Sequence, residues 1–163
     1  MYKVTRPRAL FFLACAFIIH MTLLERLRVF GARPDLVFSL VVFFGLFAER
    51  HLALEAGIFS GLVRDIFSSG RFGLNLVILS SLAAALNIIA PRLYRESKFA
   101  QIVTAFFSYI LSASAYCLAS ATFGGLSYGM VSIIPDAVYT TAVSLVISQN
   151  LMEHFRVADR LLL

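Results

Sequence analysis

Apolar residues in this chain fall into six stretches separated by short polar turns. The first runs from Arg8 to Leu24, the second from Asp35 to Ala48, and the third from Leu52 to Phe67. The fourth runs from Phe72 to Ala90 and stops at Pro91, the fifth from Phe99 to Phe123, and the sixth from Val131 to Leu151. A membrane-crossing helix needs about 20 mostly apolar residues, in a range of about 17–25. Most of these stretches meet that length. The second does not: its apolar part, Leu36 to Ala48, needs its polar ends or a locally thinned bilayer to cross. Backbone groups in hydrocarbon must be satisfied within the segment, so all six are expected to be helices. The pattern therefore predicts an all-α integral membrane protein, a six-helix transmembrane bundle forming one domain over residues 1–163.

Composition sharpens this reading. Hydrophobic residues make up 60% of the 163 residues and charged residues only 14%. A soluble fold of this size leaves too much surface exposed to hide so much apolar area. No loop is long enough to hold a separate aqueous domain. The basic start and apolar run of the first stretch resemble a signal peptide, but Leu24-Glu25-Arg26 follows with no small-x-small cleavage site, so a retained first span is expected.

The formal charge is +5. The basic residues flank the apolar stretches, where topology signals sit, so no nucleic-acid partner is expected. With the N-terminus in the cytoplasm, nine basic residues fall inside (Lys3, Arg6, Arg8, Arg50, Arg92, Arg95, Lys98, Arg156, Arg160). Five fall outside (Arg26, Arg28, Arg33, Arg64, Arg71). That balance predicts a multi-pass membrane protein with both termini cytoplasmic. Cys15 and Cys117 lie in mid-stretch apolar surroundings and read as small packing residues.

The third stretch carries the densest pattern. Ala53, Gly57 and Gly61 recur every four residues on one helical face, and Asp65 continues it one turn later. Small residues at this spacing let membrane helices approach closely. The face is either a packing seam inside the protein or a docking surface for another membrane protein. Asp65 is followed by a turn containing Gly70, Arg71 and Gly73; the glycines permit a tight reversal. Arg71 and backbone N–H groups are the expected partners of Asp65, because Arg64 points about 100° away. Pro34-Asp35 has the composition of a helix N-terminus. In the sixth stretch Asp136, Thr140, Ser144 and Ser148 share a face, and in the fifth Ser108, Ser112, Ala115 and Ala119 do. Asp35, Asp65 and Asp136 fall toward the same outer side, either as a structural polar network with Arg71 or as a small-ligand site.

Enzymatic chemistry finds little support. His51 and Glu55 are spaced i, i+4, but two ligands at a helix start make a poor metal site. No nucleophilic triad, phosphate-binding glycine loop or hydrolytic carboxylate pair is present. Asp65 and Asp136 alone supply neither a nucleophile nor a relay. A non-enzymatic protein with no cofactor and no metal is expected.

Three runs carry a family resemblance: Arg33-Pro34-Asp35-Leu36, the stretch from Glu55 to Phe67 containing Gly57, Gly61 and Asp65, and Gly70-Arg71-Phe72-Gly73-Leu74-Asn75. With the overall length and the late Pro135, they resemble the bacterial rod shape-determining MreD family. The resemblance implies a fold similar to the substrate-binding S component of energy-coupling-factor transporters. It implies a component of the cell-elongation machinery in the bacterial inner membrane that binds MreC and helps position peptidoglycan synthesis to maintain rod shape. MreB, RodA and its partner transpeptidase would share that complex, and the surrounding partner is membrane lipid. Pro34, Asp35, Gly57, Gly61, Asp65, Gly70, Gly73 and Asn75 match the family's motifs. The short second stretch and Glu55 depart from them. The competing reading is a substrate-binding subunit of a vitamin transporter, but the small-x-x-x-small docking motif expected in its first helix is missing: Leu13, Ile18 and His20 follow Ala9, Ala14 and Ala16 at four residues.

Overall fold

The computed structural model describes residues 11, 14, 15, 17, 18, 35–67, 72–93, 97–122 and 133–161, the last with side chains to Met152. Phe11, Ala14, Cys15, Phe17 and Ile18 are helical. Five further helices follow: α1 (Leu36–Phe47), α2 (Arg50–Phe67), α3 (Leu74–Ile89), α4 (Lys98–Thr122) and α5 (Ile133–Leu161). A 3-10 turn at Ala90–Arg92 closes α3 where Pro91 removes a donor. The described residues contain no strand.

α1 is the centre of the molecule. It packs against α2, α3, α4 and α5, and every residue from Val37 to Phe47 is buried. Its sequence, LVFSLVVFFGLF, has no polar face, and a helix apolar all round belongs in an interior. At about 1.5 Å per residue it is roughly 18 Å long. From sequence, this stretch was expected to need its polar ends or a locally thinned bilayer to cross. Protein encloses it on every side, so its length need not match the roughly 30 Å hydrocarbon layer.

Around α1 stand two hairpins. α2 and α3 form the tighter pair, and α4 and α5 the other. The α2–α3 seam closes on glycine. A Cβ on Gly57 would lie 2.8 Å from the Leu79 carbonyl oxygen, and one on Gly61 would lie 2.4 Å from Leu76 Cα. Gly45 of α1 plays the same part against α3, where a Cβ would meet Leu86 Cβ at 2.9 Å.

In the second hairpin, Ser148 Oγ donates to Gln101 Oε1 at 2.8 Å. That bond fixes the register, so Lys98 is level with Leu151. α5 then runs on to Leu161, about 15 Å past the start of α4. The sixth apolar stretch was expected to end near Leu151; the helix continues because nothing after that residue breaks it. The fifth stretch's small-residue stripe is buried only in part. Ser108 is buried, Ser112 is half-buried and Ala115 is exposed. Steps of 4, 3 and 4 residues keep the stripe on one face, but toward the end of α4 burial passes to Cys117 and Ser120.

The interior is apolar around α1 but also holds many polar groups. Among the described residues, twelve buried ones are polar or charged, including Asp35, Asp65, Gln101, Asp136, Thr140 and Ser144. Large apolar side chains point outward: Phe72 is 68% exposed, Phe107 65%, Leu111 67% and Leu118 70%. Two of the helical segments, Leu74–Arg92 and Lys98–Ala121, are long and apolar enough to cross a membrane. An apolar surface that extends over several helices marks a membrane or protein interface.

Candidate functional site

The polar residues singled out from sequence gather at one end of the molecule as two clasps. The first is built on Asp35, the N-cap of α1. Its Oδ1 accepts from the Phe38 N–H at 2.9 Å, satisfying one of the donors that a helix start leaves open. Its Oδ2 accepts from Arg64 of α2 in an ion pair. Its own N–H donates to Thr140 Oγ1 of α5 at 3.2 Å. One residue thus ties three helices that are distant in sequence. Ser39 Oγ adds a 2.8 Å bond to the Asp35 carbonyl.

The second clasp is Asp65 at the end of α2. Its carboxylate accepts from Gly73 N–H (2.9 Å), Asn75 N–H (3.0 Å), Leu76 N–H (2.9 Å) and Asn75 Nδ2 (2.9 Å). Gly73 is the N-cap position of α3, with φ at 101°, and has no side chain to cap with. Asp65 serves as the cap from across the turn. A carboxylate at a helix start also meets the positive end of the helix dipole.

Arg64 and Asp65 are neighbours that serve different helices. Asp65 faces α3, and Arg64, rotated about 100° onward, faces α1. Asp136 is buried at the start of α5, one turn before Thr140. Pro34, Gly70 and Arg71 lie outside the described residues. The face of Ala53, Gly57, Gly61 and Asp65 is buried along its whole length. α3 occupies it at Gly57 and Gly61.

Sequence reasoning missed three features. Asn87 of α3 donates from Nδ2 to the Gly45 (3.3 Å) and Ala48 (3.1 Å) carbonyls, closing the far end of α1. Gln101 bonds Ser148, although it reads as one polar residue in an apolar run. Ser60 is buried, and its Oγ has no hydrogen-bond partner among the described residues. The signal for Asn87 and Gln101 was available, since a lone amide within an apolar span needs a partner.

Chemically, the arrangement holds helices together. The described residues contain no group of three metal-ligating side chains. The carboxylates of Asp35 and Asp65 are engaged by helix-start amides and by Arg64 or Asn75.

A family model described as rod shape-determining protein MreD matches residues 7–156. No curated protein and no solved structure matches the chain.

Proposed function

The chain belongs to the rod shape-determining MreD family, a family of membrane proteins, and from that premise we propose that it is a non-enzymatic scaffold of the cell-elongation machinery. It binds MreC within the bilayer and helps position peptidoglycan synthesis, in a complex that also contains MreB, RodA and its partner transpeptidase. Six spans place both termini in the cytoplasm, in an arrangement similar to that of transporter S components. The N-terminal stretch supplies the first span, and α1 is the sheltered second.

One observation carries the scaffold reading: the engaged carboxylates of Asp35 and Asp65 join the protein's own helices. A transporter subunit would instead keep polar groups available for a cargo. Because α3 fills the glycine seam, MreC is received on the lipid-facing surface of the bundle.

Depletion of the protein should convert rods to spheres, and the full-length chain should restore rods while retaining MreC through detergent purification. Rod shape maintained after clean deletion, with no second copy of the gene, would refute the proposal.

A further inference from the structure

A second kind of partner is suggested by the end of the molecule opposite the two clasps. There α3 finishes in the 3-10 turn Ala90–Arg92 and α4 begins at Lys98. Both cations are exposed, six residues apart in sequence. Within a helical turn of them along the chain are exposed large apolar side chains: Ile88 and Ile89 in the last turn of α3, and Phe99 and Ile102 in the first turns of α4. The Asn87 bond to the end of α1 and the Gln101 bond to Ser148 lock both turns to the bundle. The charges therefore stand on a fixed platform.

We propose that this α3–α4 end binds an anionic phospholipid from the surrounding bilayer. Arg92 and Lys98 hold the headgroup phosphate, and Ile88, Ile89, Phe99 and Ile102 receive the acyl chains. The proposal rests on the membrane embedding described above but not on the MreC partnership. Its chemistry is specific in two respects. Arg presents a planar fork that matches phosphate oxygens, and Lys adds a point charge. Apolar side chains begin within one helical turn of each cation, which is where the acyl chains of a headgroup-bound lipid start. A free phosphate would use the cations and ignore the apolar residues. Basic residues that act on topology alone would not distinguish one lipid from another once the protein is folded.

The test uses the full chain in a neutral detergent, titrated with phosphatidylglycerol, phosphatidylcholine of the same acyl chains, or inorganic phosphate, and read by native mass spectrometry and melting temperature. Each cation near an anionic headgroup contributes about fivefold in affinity. Phosphatidylglycerol should therefore bind roughly thirtyfold more tightly than phosphatidylcholine, and inorganic phosphate should give no comparable melting shift. An Arg92→Gln/Lys98→Gln variant should lose that preference while keeping its melting temperature in phosphatidylcholine. A Phe99→Ser variant should weaken both lipids alike. Equal binding of the two lipids by the unaltered protein would overturn the proposal, as would an undiminished preference in the double variant or an equal response to inorganic phosphate. Loss of MreC binding with the lipid preference intact would sink only the scaffold reading.

Discussion

At the scale of single residues, two glycines set the seam and the turn for opposite reasons. Gly61 has no room, since a Cβ would sit 2.4 Å from Leu76 Cα. Gly73 has ample room, with nothing within 4 Å, but a φ of 101°. Gly61→Ala must push α3 away and should cost about 1–3 kcal/mol. Gly73→Ala should cost about 1–2 kcal/mol from backbone conformation alone. Thermal unfolding in detergent separates them by the choice of substitute: Asn, which tolerates a left-handed backbone, should recover part of the loss at Gly73 and none at Gly61, where the added Cβ meets backbone atoms of Asn75 and Leu76. Asp65→Ala opens several amides at the start of α3 together and should cost roughly 2 kcal/mol or more, seen as earlier hydrogen exchange at Asn75 and Leu76. Ser60→Ala removes a buried hydroxyl with no hydrogen-bond partner among the described residues. It should leave stability unchanged or raise it by up to about 1 kcal/mol in the same unfolding assay. The face shared by Gly57, Gly61 and Asp65 was legible from spacing alone. Which helix fills it was not, because a four-residue repeat specifies a face and carries no information about its neighbour.

Among the helices, α1 departs furthest from its sequence expectation. Its bounds were readable to within a residue, because Pro34-Asp35 opens it and Glu49-Arg50 closes it. Its environment was not, since a short run of Leu, Val and Phe looks the same whether lipid or protein surrounds it. Its two ends are held differently. Asp35 joins it to α2 and α5, and Asn87 joins it to α3. Asp35→Ala removes a cap and an ion pair together and should cost about 3 kcal/mol. Arg64→Met removes the pair and leaves the cap, for about 1 kcal/mol, because Arg64 keeps a quarter of its side chain exposed. The double variant should lose less than the two separate losses combined, and chemical unfolding of all four proteins closes that cycle. A fully additive result would mean that the pair contributes nothing.

For the whole molecule, the apolar composition announced a membrane protein, and the placement of side chains agrees with it. The buried residues include many Ser and Thr, and the exposed ones include many Phe, Ile and Leu. Lipid, as apolar as leucine, offers no reward for burying leucine. Close backbone approach and hydrogen bonding therefore join the helices alongside the packed apolar side chains around α1. The tight reversal after Asp65 made α2 and α3 legible as neighbours, but the place of α1 between that pair and α4–α5 was beyond sequence reasoning, because no residue pattern encodes which non-consecutive helices meet. Gln101 and Ser148, 47 positions apart, show why: each is an unremarkable polar residue until the other is placed beside it.

The enclosure of α1 carries a consequence for biogenesis. A nascent chain released from the ribosome before residue 133 lacks α5, so Asp35 has no Thr140 to meet and one flank of the central helix stands open. α1 is too short to hold a place in the bilayer unaided. A chain truncated there should therefore be degraded faster in cells than the full chain, which a pulse-chase measurement checks; equal lifetimes would show that the central helix does not depend on its last neighbour.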